Sequence, residues 1–319
     1  MIKIKCFCDF CDNNFLTSEI IRCSELDKSA LFNKIYTFVD ANATEYTHAI
    51  IINTVMPILN IPKENVIGLA WEPIPFLRLS REFIEYAKKN IGAYYISEKA
   101  DVIGKPFINN KTFLTHVSCC NKIPDKSKFM SIMFSNSISA PGHKYRHVLV
   151  KKILNTNLPI DIWGRGHIYY KTNDIRMKGK FKNIEPYKDY MFHIAIENYE
   201  TESYYSEKII NPLMYLTCPI YLGCKNIDSS FKNIIKLSGN ADSDIKLLEE
   251  IYNNKEKYRK DIDLNQVKKE VSIEKLILML SYDYSAKMRA RPITGAQARF
   301  LAGAARKKMG ADMEPRENT

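Results

Sequence analysis

Glu197, Asn198, Tyr204, Ser206, Glu207 and Lys208 crowd into the run Phe192-His-Ile-Ala-Ile-Glu-Asn-Tyr-Glu-Thr-Glu-Ser-Tyr-Tyr-Ser-Glu-Lys208. Carboxylates, an amide, a phenol and an ammonium at that density can bind a polar ligand and hold a negative charge. The apolar stretch 192–196 reads as a strand that delivers Glu197 and Asn198 at its carboxyl end. A polar loop follows, and Ser206 is suited to cap a helix opened by Glu207 and Lys208. A helix N-terminus presents free N–H groups to anions. A lysine in that first turn is unfavourable against the helix dipole unless an anion offsets it. A solvated acidic loop before an ordinary helix fits the same residues, and the pattern alone leaves both readings open. Pro212 is expected to kink the helix.

A second carboxylate stands far upstream. Glu72 follows the apolar run Val66–Ala70 and precedes Pro73. Proline cannot donate to a sheet ladder, so the strand should end there with Glu72 at its carboxyl end. A carboxylate in that position could take a proton from a hydroxyl. A surface carboxylate at a strand end is the plain alternative, and Glu98 and Asp101 are the next candidates for such a base.

The other signals are weaker. Gly164-Arg165-Gly166 is too short for a phosphate fingerprint and reads as a turn after a strand, with Arg165 near any anion bound there. His143, His147, His167 and His193 have no ligand spacing, and His193, between Phe192 and Ile194, reads as structural. Cys6, Cys8 and Cys11 lie close together, but no second Cys/His cluster has zinc-type spacing, so no metal is expected. The thiols read as mostly reduced. Asn42 and Asn110 head glycosylation patterns that matter only in a secreted chain.

These residues need a scaffold that brings distant strand ends together. Strands are expected at Ile2–Phe10, Ala49–Asn53, Val66–Ala70 and Ala93–Ser97, with helices at Lys28–Phe38 and Arg78–Asn90. The polar, lysine-rich break Asn121–Lys128 marks a domain boundary. Beyond it come strand Phe129–Phe134, helix Lys144–Leu154 with Arg146, and strands Ile160–Trp163, 192–196 and Pro219–Leu222. Helices Asp242–Asn253 and Ser272–Tyr282 close the second half. Alternation of this kind predicts an open α/β sheet in each half. The domains are 1–124, 125–285 and an alanine-rich basic tail, 286–319, whose composition marks it as appended and mobile.

With its elements in this order, the chain resembles the alpha-1,3/4-fucosyltransferase family. Glu197-Asn198, five residues, Tyr204, two residues, Glu207-Lys208 and then Cys218-Pro219-Ile220-Tyr221-Leu222-Gly223 is similar to the family signature. Ser206 stands where threonine is common, and Tyr199 where serine or threonine is. Ser135-Asn136, Arg146 and Asp161-Ile162-Trp163-Gly164 resemble its Ser-Asn pair, arginine helix and Asp-x-Tyr-Gly strand. Leu69–Pro73 resembles the strand end that carries its catalytic glutamate, and Tyr95-Ile96-Ser97, Asp101 and Pro106 the strand and loop that follow. The likeness spans about residues 66–224 and is tightest at 192–223; the first sixty residues carry no match.

The resemblance implies two facing Rossmann-like α/β domains, the GT-B-type glycosyltransferase architecture, with the active site in the interdomain cleft. It implies transfer of L-fucose from GDP-fucose to a glycan hydroxyl, alpha-1,3 on a GlcNAc- or glucose-type residue, with inversion and with no metal or other cofactor. Arg146 and Lys208 would meet the diphosphate, and Glu207 a donor hydroxyl. Asn198 and Tyr204 would line the donor pocket, and Glu72 would be the base. Trp71 could stack on a sugar or fill the core.

Composition sets outer bounds. Of 319 residues, 45% are hydrophobic and 26% charged, an ordinary globular balance. The net charge of +11 suits an anionic partner. The tail supplies nearly half of it and no aromatic-basic repeat occurs, so a nucleic-acid binder is not expected. No stretch has the roughly 20 apolar residues of a membrane helix, nor is there a signal peptide. A cytoplasmic or membrane-peripheral chain is expected, with a nucleotide-sugar and an oligosaccharide or glycoconjugate acceptor as partners. A related transferase with another donor, or a non-catalytic nucleotide- or glycan-binding protein, are the alternatives.

Overall fold

The computed structural model describes residues 2–23, 36–110, 120, 122–232 and 234–271. The helix expected at 272–282 and the tail 286–319 lie outside these residues, as does most of the helix expected at 28–38.

Two sheets organise the chain. The first holds β1 (Ile2–Phe7), β2 (Tyr36–Phe38), β3 (His48–Ile52), β4 (Val66–Leu69), β5 (Ala93–Ile96) and β6 (Phe107–Asn109), in the order β2-β1-β3-β4-β5-β6. The second holds β7 (Lys128–Met133), β8 (Ile160–Trp163), β9 (Met177–Gly179), β10 (Tyr190–Thr201), β11 (Cys218–Cys224) and β12 (Ile235–Lys236), in the order β12-β11-β10-β7-β8-β9. All the strand pairs are parallel. Parallel strands need crossovers, which helices supply. In the first half these are α1 (Asn13–Arg22), α2 (Ile74–Leu77), α3 (Arg81–Asn90) and α4 (Ala100–Ile103). In the second they are α5 (Pro141–Leu154) and α6 (Glu207–Met214), and α7 (Ala241–Asn253), α8 (Lys255–Tyr258) and α9 (Leu264–Glu270) follow the last strand.

Local sequence explains the elements. Covered on both faces, parallel strands become near-continuous apolar runs; β3 and β11 are buried at every position. Helix α3 starts where Ser80 accepts from the Phe83 N–H, and it buries Phe83 and Ala87. One core gathers Ile51, Phe83, Tyr94 and Ile96. The other gathers Ile132, Leu149, Ile153, Ile194 and Ile220.

Several expected boundaries shift for local reasons. Strand β1 stops at Phe7 rather than Phe10, because the Cys8 N–H donates to Asn13 Oδ1 and Asp12 caps α1 through the N–H groups of Asn14 and Phe15. Tyr36–Phe38, expected to end a helix, is a strand paired with Ile2–Ile4; its aromatic and β-branched residues suit a sheet. Strand β10 runs to Thr201, well past Ile196, and its pairing with β11 slips between Ile196 and Thr201. Pro212 falls near the end of α6, which stops at Met214.

Each sheet has one point where the order of strand addition reverses. It lies between β1 and β3 in the first sheet and between β7 and β10 in the second. Crossovers leave such a point on opposite faces, so a crevice opens at the strands' carboxyl ends.

Candidate active site at the carboxyl ends of the second sheet

A cavity of about 380 Å³ opens at the β7/β10 reversal, within the range of ligand sites. Ser135 and Asn136 beyond β7, His143 and Arg146 on α5, Arg165 after β8, Asn198 on β10, and Glu207 and Lys208 on α6 line it. Their convergence follows from chain geometry. Arg146 shares the inward stripe of α5 with Leu149, Val150 and Ile153, so its side chain is carried inward while still one turn from the helix start. Gly142 lets that start lie on the end of β10, where a β-carbon would collide with the Glu197 carbonyl.

Glu197 organises the other wall. Its side chain is fully buried. Its Oε1 accepts from the Ser206 N–H at 2.8 Å, and its carboxylate also meets the Ser206 hydroxyl at 2.7–2.9 Å. Ser206 in turn caps α6 through the Lys208 N–H. Lys208 Nζ lies 3.6 Å from Glu197 and 3.1 Å from Glu207. Burial raises the Glu197 carboxyl above its usual range, against the pull of Lys208. Burial would also raise Glu207, but the charge and hydrogen bond of Lys208 hold it below the usual range. For Lys208, burial opposes the charge, yet the Glu207 and Glu197 carboxylates outweigh it and keep the amine protonated.

Arg146 is 6% exposed. One terminal nitrogen donates to Asn198 Oδ1 at 2.5 Å, and Nε is buried with no hydrogen-bond partner among the described residues. Burial lowers its pKa while Glu197 and Glu207 act the other way; a guanidinium stays charged throughout. A buried guanidinium with a spare donor, beside an ammonium, suits a multiply charged anion.

The first sheet brings Glu72 near this wall, though not among the residues that line the cavity. It lies half-buried just past the carboxyl end of β4. Burial raises its pKa, Lys208 lowers it, and Glu207 and Glu197 raise it further. Glu72 is thus within electrostatic reach of the charges on α6. Three contacts hold the segment there: Tyr204 Oη donates to the Trp71 carbonyl at 3.2 Å, the Phe76 ring meets Tyr199 edge-on at 5.1 Å, and it lies 6.3 Å from His143. Trp71 is 6% exposed and belongs to the interior, whereas Phe10, tilted against it at 6.3 Å, is 54% exposed.

Of the residues singled out from sequence, Arg146, Asn198, Glu207 and Lys208 line one cavity. Tyr204 is not among its lining residues; it is buried and reaches the Glu72 segment instead. Arg165 joins the lining through the turn at Gly164, whose φ of 114° no β-branched residue would adopt. Sequence reading did not find the anchoring role of Glu197 or the placement of His143 and Phe76. A carboxylate one residue before Asn198 on an apolar strand was the signal for Glu197. Nothing in the spacing marked the other two. His193 is interior, its Nδ1 2.8 Å from the Ser131 hydroxyl. Among the described residues no cluster of three His, Cys, Asp or Glu could hold a metal, and no helix is long and apolar enough to cross a membrane.

Comparison with known proteins gives the cavity a context. A crystal structure of an α1,3-fucosyltransferase shares the fold at TM-score 0.53, with 14% identity over 88% of this chain and 89% of that one. The α1,3-fucosyltransferase structure with GDP-fucose does so at TM-score 0.52, also with 14% identity, over 88% and 90%. Residues 123–269, which contain the second sheet and all the cavity residues, match the model of glycosyltransferase family 10 (fucosyltransferase), C-terminal part. Residues 123–269 are thus similar to the C-terminal domain of glycosyltransferase family 10, the fucosyltransferases.

Proposed function

We propose that the protein transfers L-fucose from GDP-fucose to a glycan hydroxyl, alpha-1,3 on a GlcNAc- or glucose-type residue, with inversion at the anomeric carbon. The observation that carries this reading is the placing of one carboxylate, Glu72, within electrostatic reach of a wall that holds Lys208 and Arg146. Inversion needs a base on one side of the sugar and a stabilised leaving group on the other.

The donor lies in the cavity. Arg146 and Lys208 meet the diphosphate, and their fixed charge stabilises the departing GDP without a metal ion. Glu207, kept ionised by Lys208, accepts from a donor hydroxyl. Asn198 orients Arg146 and lines the pocket. Tyr204 acts at its edge, holding the segment that bears Glu72. The acceptor lies against the first sheet at the β1/β3 reversal, where the exposed Phe10 face suits the C–H face of a pyranose. Glu72 takes the hydroxyl proton as the acceptor oxygen bonds to the anomeric carbon, and the fucosyl–phosphate bond breaks. The domain division at about residue 124 follows from this split between acceptor and donor roles.

Incubation with GDP-fucose over a glycan array, with mass analysis of the products, tests the reading. A product one deoxyhexose heavier, together with free GDP, is expected. Turnover with another nucleotide-sugar and none with GDP-fucose would reject the donor.

A further inference from the structure

His143 lines the cavity beside Arg146 and Lys208, and its proton can be located. The residue is 9% exposed. Among the described residues all its hydrogen bonds fall on Nδ1: Ser137 Oγ at 3.1 Å, Ser139 Oγ at 3.3 Å and the Ala140 backbone nitrogen at 3.3 Å. A backbone N–H can only donate, so Nδ1 is the acceptor and the ring proton sits on Nε2. The turn 137–140 occupies the Nδ1 edge, leaving Nε2–H on the other edge of a ring that lines the cavity. The ring is also neutral. Burial, then Arg146, Lys208 and His147, push its pKa down to about 4. A neutral imidazole next to two cations avoids a third buried charge yet still offers a donor.

We propose that His143 donates from Nε2 to the diphosphate of the bound nucleotide, as a third donor-site contact beside Arg146 and Lys208. Phosphate oxygens accept several hydrogen bonds at once, and the first turn of α5, which carries His143, already favours an anion. The Nδ1 bond to Ala140 fixes the ring and therefore the direction of the donor. The same ring lies 6.3 Å from Phe76, four residues beyond Glu72, so a ligand held by His143 is also held next to the segment that carries the base.

The inference rests on the donor reading above only in taking a nucleoside diphosphate as the ligand. Two substitutions separate the edges of the ring. In His143→Asn the side-chain oxygen can still accept from Ala140, but nothing reaches the Nε2 position. In His143→Gln the amide N–H reaches that position. Isothermal titration with GDP and with guanosine is the measurement. His143→Asn is expected to weaken GDP by about ten- to a hundredfold, the range for a hydrogen bond to a charged group, and to leave guanosine within about threefold. His143→Gln should recover most of the GDP affinity. Unchanged GDP affinity in His143→Asn, or an equal loss for guanosine, would overturn the proposal. In the wild-type protein an imidazole Nε2–H resonance should move downfield with GDP and not with guanosine. The absence of that movement would overturn it even if His143→Asn fails to fold. Should wild type bind UDP and not GDP, the donor reading falls, and the same variants titrated with UDP still decide the role of His143. Binding of neither nucleotide would reject both.

Discussion

Glu72 and Lys208 carry charge of opposite sign to one site, and their losses should differ in kind. Glu72→Gln keeps the shape but cannot accept a proton. Turnover should fall about a hundredfold or more, the usual range for a general base, while GDP affinity stays near wild type. Lys208→Ala and Arg146→Ala should weaken GDP as well as rate, because under the proposed function those groups would touch the diphosphate in both ground and transition states. Steady-state kinetics alongside GDP titration separates the two patterns; near-normal turnover in folded Glu72→Gln would move the base elsewhere. The burial that raises the Glu72 pKa adds a pH signature. A base works ionised, so kcat/KM should fall on the acid side at a pH above the usual carboxylate range. That limb should vanish in Glu72→Gln.

The junction of β10 and α6 depends on Glu197, whose buried carboxylate holds both Ser206 and Lys208. Breaking a buried ion pair by removing one partner costs about 3–5 kcal/mol; Lys208 would keep Glu207 at 3.1 Å, but the Ser206 N–H and hydroxyl would lose their buried acceptor. Glu197→Ala is therefore expected to lower the unfolding free energy by about that amount, as measured in urea at neutral pH. The half-exposed Glu207 should cost far less when replaced by Gln, while donor binding weakens. Equal stability losses at the two positions would contradict this division. Much of this element was legible in the sequence: the apolar run 192–196, the Ser206 cap and the spacing to Lys208 define strand, turn and helix. The length of β10 was not legible. Its extension to Thr201 depends on pairing with Cys224 across a register slip, a tertiary contact that local periodicity does not encode. Tyr36–Phe38 likewise takes its strand form from Ile2–Ile4, more than thirty residues away.

Across the molecule, two parallel sheets each leave one reversal point; the cavity sits at one, and the exposed Phe10 follows β1, which borders the other. Alternation of apolar runs and helical patterns foretold two such sheets, and strand ends pointed to Glu72, Glu197 and Asn198. The contacts that bring Glu72 to α6 were not readable, because Phe76, Tyr199 and the Tyr204 hydroxyl meet only once both sheets have formed. Nor did any spacing mark His143, whose role depends on which edge of the ring the turn 137–140 occupies. If Arg146 and Lys208 supply the positive charge as proposed, chelation with EDTA should leave most of the activity; loss on chelation and recovery with Mn²⁺ or Mg²⁺ would show that a metal shares that task. The reaction proposed for the protein is inverting fucosyl transfer from GDP-fucose. It is tested most directly by proton NMR of the wild-type reaction with an accepting glycan. The expected result is free GDP together with a new fucosyl anomeric signal whose configuration is opposite to that of the donor. A product with the donor's configuration, or GDP-fucose hydrolysed with no transfer to any acceptor, would contradict it.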